Sequence, residues 1–190
     1  MEKLKKGSLG SLQEKKKNNL ILTIAAFAVV LLVFAAGLII FKTKNNYLTM
    51  LAIVLVLPAA KIAVGYFILL PHKSCPVKLY EQLKQAAPKL TVLYDLIISN
   101  SKKPVGVQAC VVTEKYICAF TCEKNTDRKF FEKSVTDFIK NEKLNVSVSL
   151  YTDWETFLKR VSSIAVNYDD KKENNDKMGW NKDALLHMCI

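Results

Sequence analysis

Two long apolar runs, residues 20–41 and 48–70, lie back to back near the N-terminus, separated only by the six residues 42–47. Each is about the 20 residues that an α-helix needs to cross the hydrocarbon core of a bilayer. Lipid offers backbone polar groups no partner, so a chain that enters it must be helical or form a closed barrel. The pattern therefore predicts a two-helix transmembrane hairpin, with everything after residue 70 left to fold in water. A cleaved signal peptide is the competing explanation for the first run. Its apolar stretch is longer than the usual 7–15 residues, however, and a second span follows at once.

Charge sets the expected orientation. Residues 1–19 hold six Lys, including the Lys15-Lys16-Lys17 triplet, against Glu2 and Glu14. The connecting loop has only Lys42 and Lys44, whereas His72, Lys73 and Lys78 follow the second run. The positive-inside rule then puts both termini in the cytoplasm, which makes a multi-pass protein of the plasma (inner) membrane. The formal net charge of +11 is spread over the chain. The portion after residue 71 mixes 19 basic with 15 acidic side chains, a solvated surface that argues against nucleic-acid binding.

The second run carries the first candidate functional residues: Pro58, Lys61 and Gly65. Proline lacks the N–H that would bond the Val54 carbonyl, and so predicts a kink. A mid-span lysine costs about 2.5–3.5 kcal/mol to insert, which the 13 Leu, Ile, Val and Phe of the same run offset. The ammonium must then draw in water and headgroups, pair with a freed carbonyl, or face a protein interior or a lumen. Ala59 and Ala63 form a small-xxx-small pair suited to close helix packing.

Beyond residue 73 the expected fold is a small cytoplasmic α+β domain over 74–167, in the order α-α-β-β-α-β-α. Ser74 and Pro76 start the first helix. Leu90, Leu93, Tyr94, Ile97 and Ile98 match the i, i+3, i+4, i+7, i+8 spacing of a second helix over 89–99. Residues 105–112 and 116–122 read as a hairpin. Residues 127–140 read as a helix, 145–151 as a strand and 152–166 as a helix. The polar stretch from Tyr168 to Asp176 predicts disorder. An apolar end then follows, in which Trp180, Leu185, Leu186 and Ile190 are candidates for docking a partner, the bilayer surface or the domain itself.

Catalytic signals are sparse. Asp153 and Glu155 follow a strand, as metal-holding carboxylates of hydrolases do, and the element order loosely suits a nuclease-like core. No acid followed by Glu-x-Lys lies on the hairpin strands, and Thr152-x-x-Glu155 reads more simply as a helix capping box. Cys118 and Cys122 would sit about 13 Å apart on one strand, too far to share a zinc ion. The five Cys show no disulfide framework, and neither a glycine-rich phosphate loop nor a Cys–His nucleophile stands out. No cofactor or metal is implied. The expectation is a self-associating, membrane-anchored interaction module whose partners are the bilayer and either a second copy or another membrane protein. An oligomeric channel or transporter-like pore lined by Lys61 is the alternative, and a membrane-tethered hydrolase a more distant one. A small-molecule ligand is not specified by any motif.

Overall fold

The computed structural model describes residues 6–42, 46–99, 103–123, 125–168 and 175–190. These form six helices and one four-stranded sheet. The chain divides into two compact units, Gln13–Pro71 and the combination of Met1–Leu12 with His72–Ile190.

The first unit is a pair of long helices, α1 (Ser11–Phe41) and α2 (Tyr47–Leu69), both long and apolar enough to cross a membrane. They meet through small and β-branched side chains. Val30, Ala52 and Ala59 are buried in one cluster, with Ala26, Val33 and Leu55 packed against it. At the loop end, a Cβ on Gly37 would come within 2.9 Å of both the Leu48 Cβ and the Asn46 Oδ1, so only glycine fits there. Asn46 also caps α2, its Oδ1 accepting the Thr49 N–H at 2.8 Å, while its Nδ2 donates to the Gly37 carbonyl. At the other end, Lys16 Nζ donates to the carbonyl of Leu70, the C-cap of α2, where a cation complements the helix dipole. α2 runs unbroken through Pro58.

The second unit is an α+β sandwich. The sheet runs β1 (Thr91–Ile98), β2 (Val105–Val112), β3 (Tyr116–Phe120) and β4 (Ser147–Tyr151) in that spatial order. The first three strands are antiparallel and β4 is parallel to β3. A parallel neighbour needs a crossover, and α4 (Arg128–Asn141) supplies it. Phe131, Val135 and Ile139 of α4, with Leu185 and Cys189 at the end of the chain, cover one sheet face. Leu83 of α3 (Val77–Ala86) and Phe157 and Val161 of α5 (Trp154–Val166) cover the other. The last helix, α6 (Asn175–His187), packs beside α4 and β2.

Residues 91–98 are a strand rather than the second helix that the spacing predicts. The helix-like spacing arises because the strand is buried on both faces and apolar side chains fill nearly every position. Leu93, Leu96 and Ile98 all face the same cluster, while Val92 and Tyr94 face the other, so the two-residue alternation slips by one at Asp95. The partner strand slips opposite it. Val107 and Cys110 share one face across Gln108, and the pairs Tyr94↔Ala109 and Leu96↔Val107 keep the register continuous. The expected helical stripe is thus split, with Leu93 and Ile98 on one face and Leu90 and Tyr94 on the other. Asp95 carries the slip with φ of 54°, a left-handed conformation that aspartate tolerates better than most residues. The order after α2 is therefore α-β-β-β-α-β-α-α.

Both sheet edges are blunted. Along β1, Tyr94 N–H donates to Gly7 O, Ser99 N–H to Met188 O and Ile190 N–H to Ile97 O. Along β4, Leu150 N–H donates to Glu132 Oε1 at 2.8 Å. Of the predicted polar stretch, residues 169–174 lie outside the described residues.

Candidate functional site

The strongest polar constellation grows out of the slip in β1 and β2. Asp95 is buried, and its Oδ1 accepts the Cys75 N–H at 2.7 Å while Oδ2 accepts the Gly10 N–H at 2.7 Å. The Leu12 N–H and the Ser74 side chain also donate to this carboxyl. One carboxylate thus holds the backbone that leads into α1 and the backbone that follows α2. Burial raises its pKa above the ordinary carboxylate range, and the donors pull the other way.

Gln108, opposite in β2 and also buried, donates from Nε2 to Lys73 O and accepts the Cys122 N–H at Oε1, both at 2.8 Å. One residue earlier, His72 Nδ1 lies 2.6 Å from Glu123 Oε1, which also accepts the Gly106 N–H. A Cβ on Gly106 would fall 2.7 Å from that Glu123 oxygen and 3.0 Å from His72 Nδ1, so the glycine makes room for the pair. Thr121 ties the corner, donating to Gly106 O and accepting the Glu123 N–H. Residues 72, 73, 74 and 75 are therefore bonded in turn to Glu123, Gln108, Asp95 and Asp95.

This arrangement suits holding and not reacting. Both Asp95 oxygens already accept backbone donors, and both ends of the Gln108 amide are used. Burial, with the Asp95 charge and Cys122 beside it, pushes the Cys75 thiol up to about 12, so it stays protonated and un-nucleophilic at neutral pH. Burial likewise raises Cys110 and Cys118. Among the described residues, no group of three or more His, Cys, Asp or Glu could hold a metal ion.

The sequence-derived candidates fall in separate places. Pro58 and Lys61 are exposed on α2, and Gly65 is half-buried, with Asn19 the nearest neighbour of its Cβ position at 3.7 Å. Ala59 and Ala63 are buried. Asp153 is the N-cap of α5, its Oδ2 accepting from both the N–H and the hydroxyl of Thr156. The box expected from Thr152 and Glu155 is replaced by this single aspartate, and the Asp153 pKa is lowered by those two bonds. Glu155 is exposed. Leu185 belongs to the core with Leu186 packed against it, and Ile190 is held by its backbone, whereas Trp180 is 58% exposed. Asp95, Gln108 and Glu123 do not stand out in the sequence, and His72 does so only through its charge. The available signal was an acid inside 90–98 and an amide inside 105–112, two stretches otherwise almost wholly apolar.

Comparison with protein-family models, with curated proteins and with solved structures finds no match to this chain.

Proposed function

We propose that the chain is an integral membrane interaction module and not an enzyme. The α1–α2 hairpin crosses the bilayer twice and holds the α+β unit at the cytoplasmic surface of the plasma membrane. There it engages a second copy or another membrane protein. The observation that carries this reading is the outward surface of the two helices. Only 11% of the apolar window in α1 and 17% of that in α2 is buried, and residues such as Leu31, Leu32, Ile39, Ile53 and Leu57 are more than 60% exposed. A core helix of a water-soluble domain buries such residues, and a bare apolar surface of this extent is stable only in lipid or against a partner.

Three features support the orientation and role. The 31 residues of α1 extend about 46 Å at 1.5 Å per residue, so the polar stretch from Ser11 to Asn19 can stand outside a ~30 Å hydrocarbon core. Lys15, Lys16 and Lys17 lie on that stretch, in keeping with a cytoplasmic flank that also attracts anionic lipid. The polar groups around Asp95 are spent on holding the backbone, and Asp153 is spent on a helix cap, which favours binding over hydrolysis.

The test uses Cys122, the exposed cysteine among the described residues. A membrane-impermeant maleimide applied to intact cells should leave it unlabelled, and lysis should expose it. Labelling in intact cells would overturn the cytoplasmic placement. The second reading, an oligomeric pore lined by α2, draws on the exposed position of Lys61. A discrete ring in detergent supports it, and a monomer or dimer counts against it.

A further inference from the structure

We propose that the outer face of α2 docks a transmembrane helix of another protein, one that carries an Asp or Glu near the bilayer midplane, with Lys61 as its counter-ion. This rests on the membrane-spanning reading above.

Three observations select that partner. The first is depth. Lys61 lies eight residues before the end of α2 at Leu69, about 12 Å, and fourteen after its start at Tyr47, about 21 Å. A lysine stem reaches roughly half of the shorter distance, so the ammonium does not clear the hydrocarbon core by extending along the helix. The second is direction. Ala52, Ala59 and Ala63 take the buried face of α2, whereas Val54, Leu57, Pro58, Lys61 and Val64 are exposed on a stripe turned away from it. Pro58, lacking an N–H, also leaves the Val54 carbonyl without a helical donor on that stripe. The third is charge. Residues 15–80 contain no Asp or Glu, and among the described residues no hydrogen bond or ion pair engages Lys61.

These facts decide between occupants. A second copy offers the same stripe and brings a second ammonium against the first, which repels in a low dielectric. Lipid tails offer nothing to the charge. A helix bearing a carboxylate at the same depth neutralises it, as intramembrane charges generally are. The flanking Val54, Leu57 and Val64 supply apolar contact, and Pro58 gives a stiff, shallow surface.

The experiment places the full-length chain, fluorescently labelled at Cys122, in phosphatidylcholine vesicles with an acceptor-labelled, single-span Leu/Ala peptide. One version of the peptide carries a central Asp and the other a central Leu. Energy transfer should report association about tenfold stronger for the Asp peptide. Lys61→Leu should abolish that preference, and Lys61→Glu should transfer it to a peptide with a central Lys. Equal association with the Asp and Leu peptides, or a preference that survives Lys61→Leu, overturns the inference. Flotation of the vesicles after an alkaline wash separates the two levels. A chain that floats without discriminating refutes this docking alone, and one that does not float removes the membrane-spanning reading as well.

Discussion

At the scale of single residues, Asp95 joins segments that are far apart in the sequence. It sits where two strands reverse phase, takes a left-handed backbone and accepts donors from residues 63 or more positions apart in the sequence, Leu12 and Cys75. Asp95→Asn turns one acceptor oxygen into a donor facing backbone N–H groups. It should cost about 1–3 kcal/mol, read from denaturant unfolding of the α+β unit in the full chain in detergent. The pH dependence has a definite sign. Because burial raises this carboxyl, the folded unit holds the proton more tightly than the unfolded chain. Its contribution to stability is full below the ordinary aspartate pKa of about 4 and is lost as pH rises through the raised value. Unfolding followed from below pH 4 upward should show that loss in the native chain and not in Asp95→Asn. Gly106→Ala drives a methyl into His72 and Glu123 and should destabilise by about 1–3 kcal/mol.

At the scale of elements, caps and packing faces carry the predictions. Asp153→Ala removes both bonds to Thr156 and should lower the melting temperature, whereas Glu155→Gln should leave it nearly unchanged. Ala59→Leu overpacks the buried seam of α2 and should destabilise the hairpin by about 1–3 kcal/mol, measured as loss of monodispersity on heating in detergent. The helices α4 and α5 were legible because their apolar residues keep one helical period throughout, and β2, although it slips as β1 does, because a short apolar run ends at the tight turn of residues 113–115. β2 and the helices α4 and α5 follow the expected bounds to within two residues. β1 was not legible, because it is buried on both faces and its nearly continuous apolar run contains a helical spacing by coincidence, with Leu93 and Ile98 on one face and Leu90 and Tyr94 on the other. The candidate site was hidden for a related reason. Asp95, Gln108, His72 and Glu123 are scattered over 52 positions and converge only through strand pairing and the path of residues 72–75, which no local pattern records.

At the scale of the whole molecule, the two units face different demands. The α+β unit blunts its own sheet edges and fills both sheet faces. The helix pair closes only its inner seam and leaves long apolar faces outward. That contrast is the reason to assign the helices to lipid, and the placement of Lys61 gives the assignment a polarity that a plain anchor lacks. Alkaline carbonate extraction of membranes from cells expressing the full chain tests the assignment most directly. The protein should sediment with the lipid, and its recovery in the supernatant would contradict the membrane-spanning hairpin.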